Sequence, residues 1–115
     1  MTHQGNLTDA LRGFTVLLCL RFSVDMDKGV CRLILDLAES EVKGATAIRA
    51  EFLGVSNLYI KDFGGGITQL LLLSVDDISG RQLDRINYEV KELERESLSF
   101  LCQKITITDI VEDQA

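Results

Sequence analysis

The chain has 115 residues, 46% of them hydrophobic and 26% charged, with a formal net charge of −6 and a sequence pI near 4.7. That is enough for one domain with a real core, and no apolar run approaches the roughly 20 residues of a membrane span. The acidic balance argues against nucleic acid, whose phosphates need Lys and Arg to displace their counterions, and three widely spaced cysteines argue against a disulfide framework or a zinc knuckle.

Residues 1–12, with Gly5, Asn6 and Thr8, read as a loose N-terminal arm without a basic, apolar, small-residue export signal, so the expected setting is the cytoplasm. Phe14, Val16, Leu18, Leu20, Phe22 and Val24 then fall on one parity, as do Cys31, Leu33, Leu35 and Leu37. A four-residue loop from Met26 to Gly29 sets Phe22 opposite Leu33, Leu20 opposite Leu35 and Leu18 opposite Leu37. This is a hairpin with Arg21, Ser23, Arg32 and Asp36 on its other face. Its loop, Asp25-Met26-Asp27-Lys28-Gly29, faintly resembles the start of a calcium loop. Gly29 comes too early and no Glu closes the ring, so the reading is a turn.

After a polar connection over residues 40–45, Thr46, Ile48, Ala50 and Phe52 begin a third strand, and Gly54 marks a bulge or bend. Leu58 and Ile60 extend it or form a fourth strand. Gly64-Gly65-Gly66 has neither the spacing nor the following helix of a phosphate loop and reads as a hairpin turn needing positive φ. The apolar run Ile67 to Val75 is expected as a central strand buried on both faces.

Ser79-Gly80-Arg81-Gln82 fits a helix start, and Leu83, Ile86, Val90 and Leu93 recur at helical spacing. Ile86, Tyr88 and Val90 also alternate, as do Leu98, Phe100 and Cys102. The preferred reading is one short helical turn near residues 79–85 followed by two strands. The parity change between Phe100 and Ile105 implies a bulge near Gln103-Lys104 in a long last strand, and residues 112–115 read as a frayed acidic tail. The expected fold is all-β: a single domain over residues 1–115, an antiparallel β-sandwich or a strongly curved sheet of about six to eight strands. Phe22, Leu33, Leu35, Phe52, Ile60, Leu71, Tyr88 and Phe100 form its expected core.

Catalytic groups are hard to find. The one histidine, His3, lies in the arm, where nothing holds it against a nucleophile. Cys31 and Cys102 share the core parity, and Cys19 lies across from Asp36, so inert thiols are expected. No cofactor and no metal are expected, and the chain reads as a non-enzyme. The candidate partner-binding residues are Asp76, Asp77, Glu89, Glu92 and Glu94, a carboxylate-rich end suited to a basic protein partner, which Asp109, Glu112 and Asp113 could join.

The order Phe52-Leu53-Gly54-Val55, Leu58, Ile60, Asp62-Phe63-Gly64-Gly65 resembles small bacterial immunity-type proteins of polymorphic toxin systems. Asp77-Ile78-Ser79, Tyr88-Glu89-Val90 and Ser99-Phe100-Leu101-Cys102 are similar to related uncharacterised bacterial domains. Phe63 stands where the immunity pattern carries a Trp. The resemblance implies a small, non-catalytic cytoplasmic protein that binds and neutralises a cognate toxin. The alternative from the residues themselves is an assembly module, a homodimer formed through an open sheet edge or an exposed apolar face.

Overall fold

The computed structural model describes residues 7–81 and 85–110. Among these residues nine strands follow one short helix: α1 (Leu7–Leu11), β1 (Val16–Asp25), β2 (Val30–Ala38), β3 (Ala47–Leu53), β4 (Ser56–Ile60), β5 (Thr68–Gln69), β6 (Leu73–Asp77), β7 (Tyr88–Glu92), β8 (Leu98–Cys102) and β9 (Lys104–Asp109). They build two antiparallel sheets, one of five strands in the order β5-β1-β2-β3-β9 and one of four in the order β4-β8-β7-β6. The expected sandwich is what forms, with one strand more than the upper expectation. Ser79–Arg81 is a single 3-10 turn, and the two strands expected after it are β7 and β8.

The core lies between the sheets. Leu33 faces Phe52 across β2 and β3, Leu35 faces Ala50, and Leu37 faces Ile48. These meet Val90, Leu98, Phe100 and Cys102 from the smaller sheet. Phe52 and Phe100 join the layers edge to face, their ring centroids 4.8 Å apart. The outer face of the larger sheet carries ion pairs: Arg49 holds both oxygens of Asp36 at 2.8 and 3.1 Å, and Arg32 lies 2.8 Å from Glu51.

Two ribbons bend from one sheet to the other at neighbouring points, a known way to turn a sandwich corner. At the first, the amides of Gly54 and Val55 both donate to the carbonyl of Cys31, and Gly54 takes φ +70° between β3 and β4. At the second, Gln103 separates β8 from β9 and donates its amide to Leu53 O. A Cβ on Gly54 would stand 2.5 Å from the Gln103 side chain, so the corners touch. The expected bend at Gly54 is present. The parity change near Gln103 is also real, but the expected long last strand is two strands in different sheets.

Several expectations are corrected. Over its described part, the expected loose arm is the helix α1. Leu11 is buried there, and Thr8 Oγ1 accepts Val75 N at 2.9 Å and donates to Val75 O at 3.2 Å. The helix thereby covers the free edge of β6. His3 and the tail at 112–115 lie outside the described residues. In β1 the register slips between Leu17 and Cys19, so Leu17 faces Leu37 and Leu18 is extruded, 58% exposed. The three glycines do take positive φ, but they do not turn a hairpin. Their flanking strands, β4 and β5, belong to different sheets. The expected central strand over residues 67–75 is interrupted at Leu70–Leu72, with the two-residue β5 at one sheet edge and β6 at the other.

Of the expected core, Leu33, Leu35, Phe52, Tyr88 and Phe100 are buried, whereas Phe22, Ile60 and Leu71 are exposed. Ile60 ends the edge strand β4, and Leu71 sits in the break between β5 and β6. Phe22 has the core parity but lies toward the far end of the ten-residue β1, which at about 3.3 Å per residue outruns the five-residue strands of the opposing sheet.

Candidate interaction surfaces

The five predicted partner-binding carboxylates do not form one patch. Asp76 and Asp77 end β6, and Glu89 lies across from Asp76 near the start of β7. Glu92 ends β7 four residues after Tyr88, roughly 13 Å along the strand. Glu94 follows it in the turn to β8, so Asp76, Asp77 and Glu89 lie at one end of the smaller sheet and Glu92 and Glu94 at the other.

Their environments differ as much as their positions. Asp76 is exposed and opposes another carboxylate, an arrangement that destabilises a strand pair unless cations intervene. Arg81 and Lys91 do intervene, each 3.9 Å from Glu89 Oε1. Asp77 Oδ1 accepts the Ser79 hydroxyl at 2.7 Å and the Ser79 amide at 2.9 Å. These bonds to Ser79 hold the Asp77 carboxyl below its usual range. It shapes the turn out of β6 while remaining at the surface.

Glu92 is a correction. It is only 1% exposed, and its carboxylate is directed into its own turn rather than toward solvent. Its Oε1 accepts the amides of Arg95 and Ser97 at 2.8 and 3.2 Å and the Ser97 hydroxyl at 3.3 Å, while Oε2 accepts the amide of Glu94 at 3.1 Å. Burial alone would push this carboxyl up. The amides of Arg95, Ser97 and Glu94 and the Ser97 hydroxyl outweigh it, and the pKa is lowered. Glu92 is the peg around which the β7–β8 turn is wound. Glu94 is exposed beside it.

Two clefts were not expected. One, of about 520 Å³, lies where the outer face of the larger sheet meets the connection between β2 and β3. Val16, Ala38 and Ala47 floor it, and Leu18, Val42 and Ile67 stand 58%, 72% and 59% exposed around it. The bulge in β1 creates it by turning Leu18 outward, and only a break in alternation at Leu17-Leu18 hints at this in the sequence. The other, of about 540 Å³, runs between Tyr59, Lys61, Lys91, Leu93 and Glu96. Half-exposed Tyr59 and Leu93 beside charged groups have the composition of an interface rim.

The loop that resembles a calcium site is a turn. Asp25 Oδ1 takes the amides of Asp27 and Lys28 at 3.0 and 3.2 Å, and Gly29 at φ +67° donates to Asp25 O. Among the described residues no three His, Cys, Asp or Glu side chains gather into a metal-holding group. The three cysteines are free. Burial pushes the Cys102 thiol up to about 12, so it stays protonated and unreactive at neutral pH.

A family model described as Immunity protein PIM8 matches residues 11–108, nearly the whole of the described sandwich. No curated protein and no solved structure matches the chain.

Proposed function

From the premise that the chain belongs to the Immunity protein PIM8 family, we propose that it binds a cognate toxin in the cytoplasm and blocks it by stoichiometric occlusion, without catalysing a reaction. The family match carries this reading. Its physical support is the acidic excess, with a formal net charge of −6 on one small domain. Such a field speeds the encounter with a basic partner and orients it. The exposed carboxylates Asp76 and Glu94, with Asp77 and the half-buried Glu89, supply the surface charge. Glu92 is withdrawn from the set because its oxygens are committed to the β7–β8 turn.

The test is co-expression. The chain is produced in a cell that also expresses the toxin encoded beside its gene, and survival is scored. Protection together with a stoichiometric complex on size-exclusion chromatography is the expected result. Protection at strongly substoichiometric amounts of the chain would point to catalysis and overturn the occlusion mechanism. Loss of toxicity without a complex would do the same.

A further inference from the structure

We propose that β1 is a self-pairing edge through which two copies of this chain join their larger sheets into one continuous sheet. β5 covers only Val16 and Leu17 of the ten-residue β1. Among the described residues nothing pairs with the stretch from Cys19 to Asp25 on that side. The carbonyl of Asp25 turns inward, accepting Gly29 N at 2.7 Å. Backbone direction alternates along a strand, so the amides and carbonyls of Leu20, Phe22 and Val24 point to the free side. Long edges of this kind are normally blocked by charged side chains, Pro, a bulge or a covering loop, and the exposed charges on this edge, Arg21 and Asp25, are of opposite sign. Here the one bulge precedes Cys19, and Phe22 and Val24 are 46% and 51% exposed.

The chemistry of the edge selects a second copy as its occupant. In a two-fold antiparallel pair, opposed residues share a face, so the register must centre on one residue meeting itself. Centred on Arg21, it sets two guanidinium groups against each other. Centred on Phe22, it leaves Arg21 opposite Ser23. Centred on Ser23, it sets Arg21 opposite Asp25 of the other copy twice by symmetry on the outer face, and Phe22 opposite Val24 twice on the inner face. Only the last of these three satisfies charge and apolar pairing together. Asp25 Oδ1 is held by its own turn, and Oδ2 remains to meet Arg21. The ladder is short, so the dimer is weak, with a dissociation constant in the micromolar range.

Sedimentation velocity of the full chain, from about 1 to about 300 µM, spans that range and needs no toxin. The expected result is a reversible monomer–dimer equilibrium. Arg21→Glu, on an exposed position that takes no part in the turn, should raise the dissociation constant about tenfold by opposing two carboxylates at each end. Asp25→Asn keeps the turn's side-chain acceptor and removes the charge, and it should weaken the dimer less. With Asp25→Asn already present, Arg21→Glu should cost clearly less than it does alone, because the pair is coupled. Phe22→Lys should abolish the dimer while circular dichroism shows the fold retained. A chain that is monomeric throughout, or a dimer indifferent to Arg21→Glu and Phe22→Lys, would overturn the proposal. Toxin protection by the monomeric Phe22→Lys variant would leave both this pairing and the immunity reading standing, so the two fail separately.

Discussion

Glu92 shows how much one side chain settles locally. It accepts three amides and a hydroxyl at one turn while almost fully buried. Glu92→Gln substitutes an amide group for an oxygen that faces donors, and a buried donor left unpaired costs about 1–3 kcal/mol. Urea unfolding should show a loss of that size, with the slope unchanged. Because the folded pKa is lowered from 4.5, the carboxylate's contribution is present above that value and is lost as the pH falls through the lower folded one. The wild-type chain should therefore lose stability in that acid window more steeply than Glu92→Gln does. Gly54 is the second such residue. Gly54→Ala forces a Cβ into φ +70° and against the Gln103 side chain. Gln103 can swing aside, so the backbone dominates and the expected cost is about 1–2 kcal/mol by thermal or urea unfolding. Neither role could be read from composition. Gly54 was legible as a bend because glycine inside an apolar strand has few other uses, whereas Glu92 looked like any other acid among its neighbours.

At the scale of elements, alternation identified strands well and placed them poorly. Leu33, Leu35 and Leu37 were legible as a buried stripe because β2 is a central strand with neighbours on both sides. The run Ile67 to Val75 has the same apolar character but makes two edge strands with a crossing between them. Continuous apolarity records burial and leaves open which sheet supplies it. The helix α1 leaves no periodic signature in the sequence. Five residues are too short to show helical periodicity, and helices of this length hold only by packing. Leu11→Ala removes a side chain 3% exposed and should cost about 2–4 kcal/mol. Thr8→Val removes both bonds to Val75 and should cost about 1 kcal/mol. In hydrogen exchange, the Val75 amide should lose protection in either variant while the central β2 and β3 amides keep theirs. Faster exchange spread evenly over both sheets would show that α1 is not a separate cover for the β6 edge.

For the molecule as a whole, the proposed toxin binding predicts that the net charge of −6 acts as a field rather than through any single carboxylate. Asp76 and Glu94 lie at opposite ends of the smaller sheet, both exposed, and neither side chain carries a turn. Asp76→Lys and Glu94→Lys should each leave the melting temperature nearly unchanged. At low salt each should slow toxin association by a modest factor, on the scale of about 0.2–1 kcal/mol for an exposed charge. Stopped-flow association rates at several salt concentrations check this. A strong effect of one reversal and none of the other would locate the toxin at that end. Equal small effects would identify general steering. Glu92→Lys belongs to a different class, since it would bury an ammonium among amide donors and unfold the turn.

The sequence by itself determined that this is an all-β domain and where its main hairpin lies, and Phe52 to Gly65 carry a resemblance to immunity-type proteins. The fold class and the hairpin rest on local chemistry: alternation and the residues of turns. Only the tertiary structure decided that two of the strand runs cross between sheets at Gly54 and Gln103, and that Glu92 is a buried peg. It also decided that Leu18 and Phe22 stand outside the core their parity assigns them to. Parity fixes which face of a strand a residue occupies only until a bulge resets it, as at Leu18. Whether that face is covered depends on the length and position of strands far away in the chain, and no local pattern carries that information.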